Sequence, residues 1–283
     1  MSVQIVECPR DAMQGFHRLI STDEKIKYLN LLLKVGFDII DCGSFVSPKA
    51  VPQLADTQEV LSGIDGIKNH TKLLVIVANE RGAEQAALQS NVTYMGFPFS
   101  ISEVFQKRNT NQGVKQALTV LKNIHQIAKD ANKELLVYLS MGFGNPYSEP
   151  WSVDIAIDWC KKLADFGVET INLSDTIGVA KPQDIQDIFK RCHQELPDLS
   201  FGAHFHTRMD NYLQNITAAY GSGCRRFDAA IKGFGGCPFA NDSLTGNLPT
   251  ELLLDFLKEQ NVETNIHQQA FDLAYQEANL LFV

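Results

Sequence analysis

Strand-like and helix-like segments alternate through this chain eight times, and that rhythm limits the folds open to it more than any single motif does. Short apolar or β-branched runs read as strands at Val3–Val6, Asp38–Asp41, Leu73–Val77, Val92–Gly96, Leu135–Ser140, Thr170–Leu173, Ser200–His206 and Arg226–Ala229. Helical signals fall between them. Ser21-Thr22-Asp23-Glu24 offers N-caps for a helix to about Val35, stopped by Gly36. Apolar residues recur at helical spacing within Gly113–Asp130, Ser152 caps a helix reaching Phe166, and Pro182 opens another to about Gln194. Strand–helix alternation of this kind implies parallel strands joined by crossover helices, as in a doubly wound sheet or a closed barrel. A doubly wound nucleotide fold carries a glycine-rich turn after its first strand. The turn here, Cys8-Pro9-Arg10-Asp11-Ala12-Met13-Gln14, lacks GxGxxG. The expected fold is therefore an α/β (β/α)8 TIM barrel with extra C-terminal helices from about Thr250. A length of 283 residues suits a single catalytic domain over residues 1–283, with no linker or low-complexity stretch to divide it.

Composition excludes several functions. The net charge is -8 with no basic run, which argues against nucleic-acid partners. No apolar run approaches the roughly 20 residues of a membrane span. The N-terminus has neither a basic n-region nor an apolar h-region, so no secretory leader is expected. Six scattered cysteines without a CxxC pair fit a reduced, cytoplasmic setting better than a disulfide framework.

In such a barrel the chemistry gathers at the C-terminal ends of the strands. His204 and His206 are two apart on one strand, so their side chains share a face while Phe205 takes the other. Two imidazoles so placed can grip a metal together. On the same expected rim lie Arg10, Asp11 and Gln14 after strand one, and Asp41 at the end of strand two. Asp175 follows strand six; Cys237 and Asn247 follow strand eight. Asp11, His204, His206 and the amide oxygen of Asn247 make a mixed nitrogen and oxygen set with places left for water. Such a set suits Mg2+ or Mn2+ better than zinc. Taken singly, Asp11 also fits a salt bridge to Arg10, and Gly246-Asn247 also fits a plain turn. Arg10 beside the cation can neutralise an enolate or carbonyl oxygen, or can serve as a structural partner of Asp41 or Asp175. Cys237, between Gly236 and Pro238, can be a proton donor, a nucleophile or buried packing.

The residues around these positions carry a resemblance. Val3 to Gln14, Ser44-Phe45-Val46-Ser47-Pro48-Lys49, Ser174 to Val179, Gly233-Phe234-Gly235-Gly236-Cys237-Pro238 and Gly246-Asn247-Leu248 with Thr250-Glu251 appear in register. Together they are similar to the hydroxymethylglutaryl-CoA lyase family of metal-dependent Claisen-type barrels. The resemblance implies cleavage of 3-hydroxy-3-methylglutaryl-CoA, an acyl-CoA, to acetyl-CoA and acetoacetate, in leucine degradation or ketone-body metabolism. It implies that Asp11, His204, His206 and Asn247 hold the divalent cation and that Arg10 stabilises the enolate. His204 would move protons, Cys237 would sit in a catalytic loop, and the protein would form a homodimer. Gln14, Ser47, Lys49 and Asp175 are candidates for substrate contact, with Arg108 beside Ser47 and Lys49 for CoA. The chain departs from the family pattern near the site. Asp41 stands where a glutamate is usual, keeping the carboxylate in the catalytic set but with shorter reach. Thr207-Arg208-Met209-Asp210, Asn145 and Ala12-Met13 also differ.

Two other readings use the same residues. A barrel relative could condense acetyl-CoA with a keto acid, which an assay with a keto-acid acceptor separates. A homologue could keep the metal and lose catalysis, against which the retained Arg10 and Cys237 weigh.

Overall fold

The computed structural model describes residues 2–65, 70–236 and 245–283. Strand β1 (Gln4–Glu7) runs into a short helix, α1 (Pro9–Gln14), and then α2 (Thr22–Leu32). Strand β2 (Ile39–Ser44) is followed by α3 (Thr57–Gly63), and β3 (Lys72–Ile76) by α4 (Glu80–Ala87). Strand β4 (Val92–Ser100) leads to α5 (Glu103–Thr110) and α6 (Val114–Asp130), and β5 (Glu134–Ser140) to α7 (Val153–Asp165). Strand β6 (Thr170–Asp175) precedes α8 (Pro182–Glu195), and β7 (Ser200–Thr207) precedes α9 (Tyr212–Gly221). After β8 (Arg226–Ala229) comes a single turn at Ile231–Gly233, then a two-residue strand, β9 (Gly246–Asn247), and helices α10 (Thr250–Glu259) and α11 (Gln268–Leu281).

Strands β1 to β8 pair in parallel, each with its neighbours in sequence. The last returns to the first through Gln4↔Arg226 and Val6↔Asp228, which closes the expected barrel. Closure leaves none of these eight strands with an open edge. The helices cover the outside with apolar stripes. On α8, Ile185, Ile188, Phe189 and Cys192 recur at i, i+3, i+4 and i+7, and all are fully buried. Burying a side chain such as Ile188 or Phe189 contributes about 1.5–3 kcal/mol relative to leaving it in water.

The barrel interior is partly polar. Asn172, Arg226 and Asp228 are buried there, and Gly202 makes room for the first two. A Cβ at Gly202 would stand 2.3 Å from Asn172 Oδ1 and 2.9 Å from Arg226 Cδ. Two helices were not foreseen. Helix α1 is short and begins with Pro9, a combination that reads as a turn; proline at the first helical position in fact starts it. Helix α5 is mostly polar, so it lacks an apolar stripe to betray it. Among the described residues no helix is long and apolar enough to cross a membrane.

Candidate active site

Helix α1 sets the first group of functional side chains directly above the end of β1. Arg10 and Gln14 lie one turn apart on it, and Asp11 is next to Arg10. The Arg10 guanidinium is nearly buried and almost fully committed. Its Nε and Nη2 donate to Asp41 Oδ2 at 2.9 and 2.6 Å, and its Nη1 to Asp11 Oδ1 at 2.7 Å and Gln14 Oε1 at 3.0 Å. Of the five N–H bonds an arginine carries, this leaves one on Nη2 without a partner among the described residues. The structural role open to Arg10 from sequence, pairing with Asp41, is thus present in full.

The two carboxylates that share this guanidinium titrate in opposite directions. Burial pushes the Asp41 carboxyl up to about 6, against the pull of Arg10, and its Oδ1 has no partner among the described residues. Burial also pushes Asp11 up, but Arg10 together with His206 and His204 outweighs it and holds that carboxyl well below the usual range. The difference follows from neighbours: Asp11 faces three cationic or ionisable bases, Asp41 only one.

His204 and His206 lie on one face of β7, as alternation requires, with ring centroids 5.2 Å apart. Each uses Nδ1 on a fixed acceptor. His206 Nδ1 is 2.8 Å from the Thr176 carbonyl, and His204 Nδ1 is 3.1 Å from Asp228 Oδ2. A carbonyl or carboxylate oxygen only accepts, so both Nδ1 atoms carry protons and both Nε2 atoms keep the free valence. Asp228 is itself fixed by Asn172, whose Nδ2 donates to its Oδ1 at 2.9 Å. Burial lowers the His204 pKa, but the hydrogen bond and charge of Asp228 outweigh it and raise it on balance.

Asp11, His204 and His206 each bring one ligand atom within 4.8 Å of the others, so they form a possible metal-binding group. His206 Nε2 stands 3.8 Å from Asp11 Oδ2 and is buried without a hydrogen-bond partner among the described residues. A buried imidazole nitrogen with a free lone pair, facing a carboxylate, fits a divalent cation well. Asn247 arrives by β9, which pairs antiparallel with β7 so that His206 lies opposite Asn247. The strand replaces the turn that the sequence also allowed. The amide nitrogen, rather than the oxygen, faces Asp11: Nδ2 donates to Asp11 Oδ2 and to the Phe234 carbonyl, each at 2.8 Å.

A cavity of about 390 Å³ opens above these groups. Arg10, Asp11, Gln14, His204 and His206 line it, as does Ser47. Two of the candidates for substrate contact stand apart. Lys49 is exposed and does not line the cavity. Asp175 is buried behind it and spends both oxygens on the backbone amides of Val179 and Ala180, each at 2.9 Å, which makes it a loop fastener. Cys237 lies outside the described residues. Several site residues were missed from sequence. Tyr138 lines the cavity with its ring edge-on to His204 at 5.4 Å, and Asp228, Asn172 and Thr176 hold the histidines from behind. Their signal was polar residues alternating with apolar ones inside strands, as in Tyr138 and Ser140 of β5 or Arg226 and Asp228 of β8.

Two imidazoles, a carboxylate and a guanidinium at the C-terminal rim of a closed parallel barrel define an enzyme of the metal-capable barrel class. The chain belongs to the HMGL-like family, whose family model matches residues 2–276. A hydroxymethylglutaryl-CoA lyase of Bacillus subtilis is 33% identical over 258 residues, 91% of this chain and 85% of its own length. The human mitochondrial hydroxymethylglutaryl-CoA lyase is 34% identical over 268 residues, 94% of this chain and 82% of its own. Among solved structures, the HMG-CoA lyase of Brucella melitensis superposes with a TM-score of 0.90 at 30% identity, covering 99% of both chains. An HMG-CoA lyase of Acinetobacter baumannii, in complex with coenzyme A and 3-methylmalate, has a TM-score of 0.91 at 30% identity and covers 99% of this chain and 91% of its own.

Proposed function

We propose that this chain, as one catalytic domain, is a hydroxymethylglutaryl-CoA lyase that cleaves 3-hydroxy-3-methylglutaryl-CoA to acetyl-CoA and acetoacetate. The observation that carries the reading is the group Asp11, His204 and His206 set beside Arg10 on the cavity floor, in a barrel superposable on lyases of this type. In this reading Asp11, His204 and His206, with Asn247 adjoining, hold Mg2+ or Mn2+. The cation, when bound, lowers the pKa of the substrate hydroxyl.

The remaining chemistry falls to the side chains. The substrate hydroxyl gives up its proton to a base. His204, which the family resemblance names for proton transfer, has a single free valence at Nε2 and would take that proton only in place of a bond to the cation, with Asp228 holding Nδ1. The C–C bond then breaks: the alkoxide becomes the ketone of acetoacetate, and the bonding pair passes to the acetyl-CoA enolate. Arg10 supplies its uncommitted Nη2 proton and its charge to that enolate oxygen. Asp41, Asp11 and Gln14 keep the guanidinium still while charge develops, so little reorganisation is needed. Protonation of the enolate carbon completes acetyl-CoA, a step for which the Cys237 thiol is a candidate donor. Tyr138 packs edge-on against the His204 ring.

The test is a coupled assay of acetoacetate release from hydroxymethylglutaryl-CoA with Mg2+ or Mn2+, repeated with EDTA. Cleavage that the chelator abolishes is expected. A folded, metal-supplied protein that releases no acetoacetate overturns the assignment.

A further inference from the structure

The short segment from Lys232 to Gly235 has the candidate cation site on one side and α11 on the other. Lys232 sits at φ 63 and ψ 11, a left-handed backbone that a residue with a Cβ adopts only where its surroundings hold it there. Its side chain is fully engaged. Nζ donates to Asn279 Oδ1 and lies 5.6 Å from the ring centroid of Phe234 and 5.4 Å from that of Tyr275. Phe234 packs on Phe282 with centroids 4.7 Å apart. Phe282 also meets Phe16, two residues past α1, edge-on at 5.5 Å. Tyr275, Asn279 and Phe282 are spaced i, i+4 and i+7, one stripe along α11 and the residue that follows it.

On its inner side the same segment touches the residues of the site. The Phe234 carbonyl accepts from Asn247 Nδ2, whose other contact is Asp11 Oδ2. Gly235 (φ 92) comes so close that a Cβ there would stand 2.6 Å from the Asp11 backbone oxygen and 2.7 Å from Asn247 Nδ2. A displacement of this segment therefore moves Asn247 and removes one of the hydrogen bonds that hold Asp11, leaving that from Arg10. Simple packing of a terminal helix does not require a lysine in a left-handed backbone, nor a cation between two rings.

We propose that Lys232 and the Tyr275–Asn279–Phe282 stripe of α11 are positioning residues for the cation site, acting through Phe234 and Gly235 on Asn247 and Asp11. The inference rests on the metal-dependent reading above. Its test is Mn2+ binding to the full chain, followed by electron paramagnetic resonance, with a melting curve for each variant. Phe282→Ala removes the ring. Lys232→Gly removes the cation while relaxing the left-handed backbone, so stability and positioning part company in this variant. Lys232→Arg restores a cation able to reach Asn279.

The Mn2+ Kd is expected to rise about tenfold in Phe282→Ala and Lys232→Gly, the scale typical of losing an outer partner of a metal site, and to stay within about twofold in Lys232→Arg. Backbone amides of residues 232–236 are expected to exchange hydrogen faster in Phe282→Ala. If the wild type binds Mn2+ and both loss variants bind it equally well, the positioning role is refuted and the lyase reading stands. If the wild type shows no saturable Mn2+ binding, both fall.

Discussion

Glu7 gives the chain a stability that depends on pH in a calculable way. It is the last residue of β1, fully buried, and accepts from the Ile231 backbone N–H at 2.8 Å and from Thr250 Oγ1 at 2.6 Å. Burial pushes its carboxyl from 4.5 up to about 8, although both hydrogen bonds pull it down. Below pH 4.5 folded and unfolded chains both hold the proton. As pH rises the unfolded chain releases it first, and the native state keeps it until about pH 8. Native stability therefore falls through this window, by about 1.4 kcal/mol per pH unit and on the order of 5 kcal/mol in all. Glu7→Gln removes the titration and keeps the fit, since its amide oxygen can accept from Ile231 and its N–H can donate to Thr250. Asp41 and Asp175, also raised by burial, and Asp11, lowered, titrate in both proteins and cancel in the difference. Urea unfolding followed by circular dichroism at pH 5 and pH 8 is the assay. The variant should gain on the wild type by on the order of 3 kcal/mol between those two values. Parallel stability curves for the two proteins would show that the Glu7 carboxyl is not held neutral, and would refute the reasoning.

Three further outcomes follow from the site. Arg10→Met should lower kcat for acetoacetate release by about 100-fold or more, because a preorganised charge at the enolate is lost. Arginine is no ligand but it holds Asp11, so the Mn2+ Kd should rise by no more than the roughly 10- to 100-fold typical of losing an outer partner. His206→Ala should raise the Mn2+ Kd by at least about 100-fold, given that losing merely an outer partner of a ligand costs 10- to 100-fold. An unchanged Kd in a binding titration would remove His206 from the ligand set. Gly235→Ala should lose about 1–3 kcal/mol of stability in urea from its left-handed backbone alone. It should also weaken Mn2+ binding, because the added Cβ meets the Asp11 backbone and the Asn247 amide.

The barrel was legible because its strands are dense in Val, Ile, Leu and Phe and each is followed by a capped or periodic helix. The histidine pair was legible because strand alternation alone puts His204 and His206 on one face. What was not legible depends on contacts between distant strands. The partners of His204 and His206 come from β8 and from the loop after β6, and nothing in local sequence announces that Asp228 or the Thr176 carbonyl will face them. The orientation of the Asn247 amide likewise needs both acceptors, Asp11 and Phe234, to be in view. Asp175 shows the opposite error. A carboxylate on the correct rim looks functional in sequence, yet the loop after β6 has amides of its own to satisfy and takes both oxygens.

The hydrogen bond from Asn247 to Asp11 joins residues 236 apart, across the seam where β8 meets β1. Closing a loop of that size costs about 5 kcal/mol of chain entropy by the logarithmic law, and no short-range contact offsets it in advance. The seam is therefore expected among the later parts of the barrel to join, and a chain still emerging from the ribosome lacks one side of the site until its last strands are out. Segments collapsed but not yet joined have no place for the cation to bridge. In a refolding reaction the appearance of Mn2+ binding would then time the closing of the seam, separately from the earlier gain of helix and sheet.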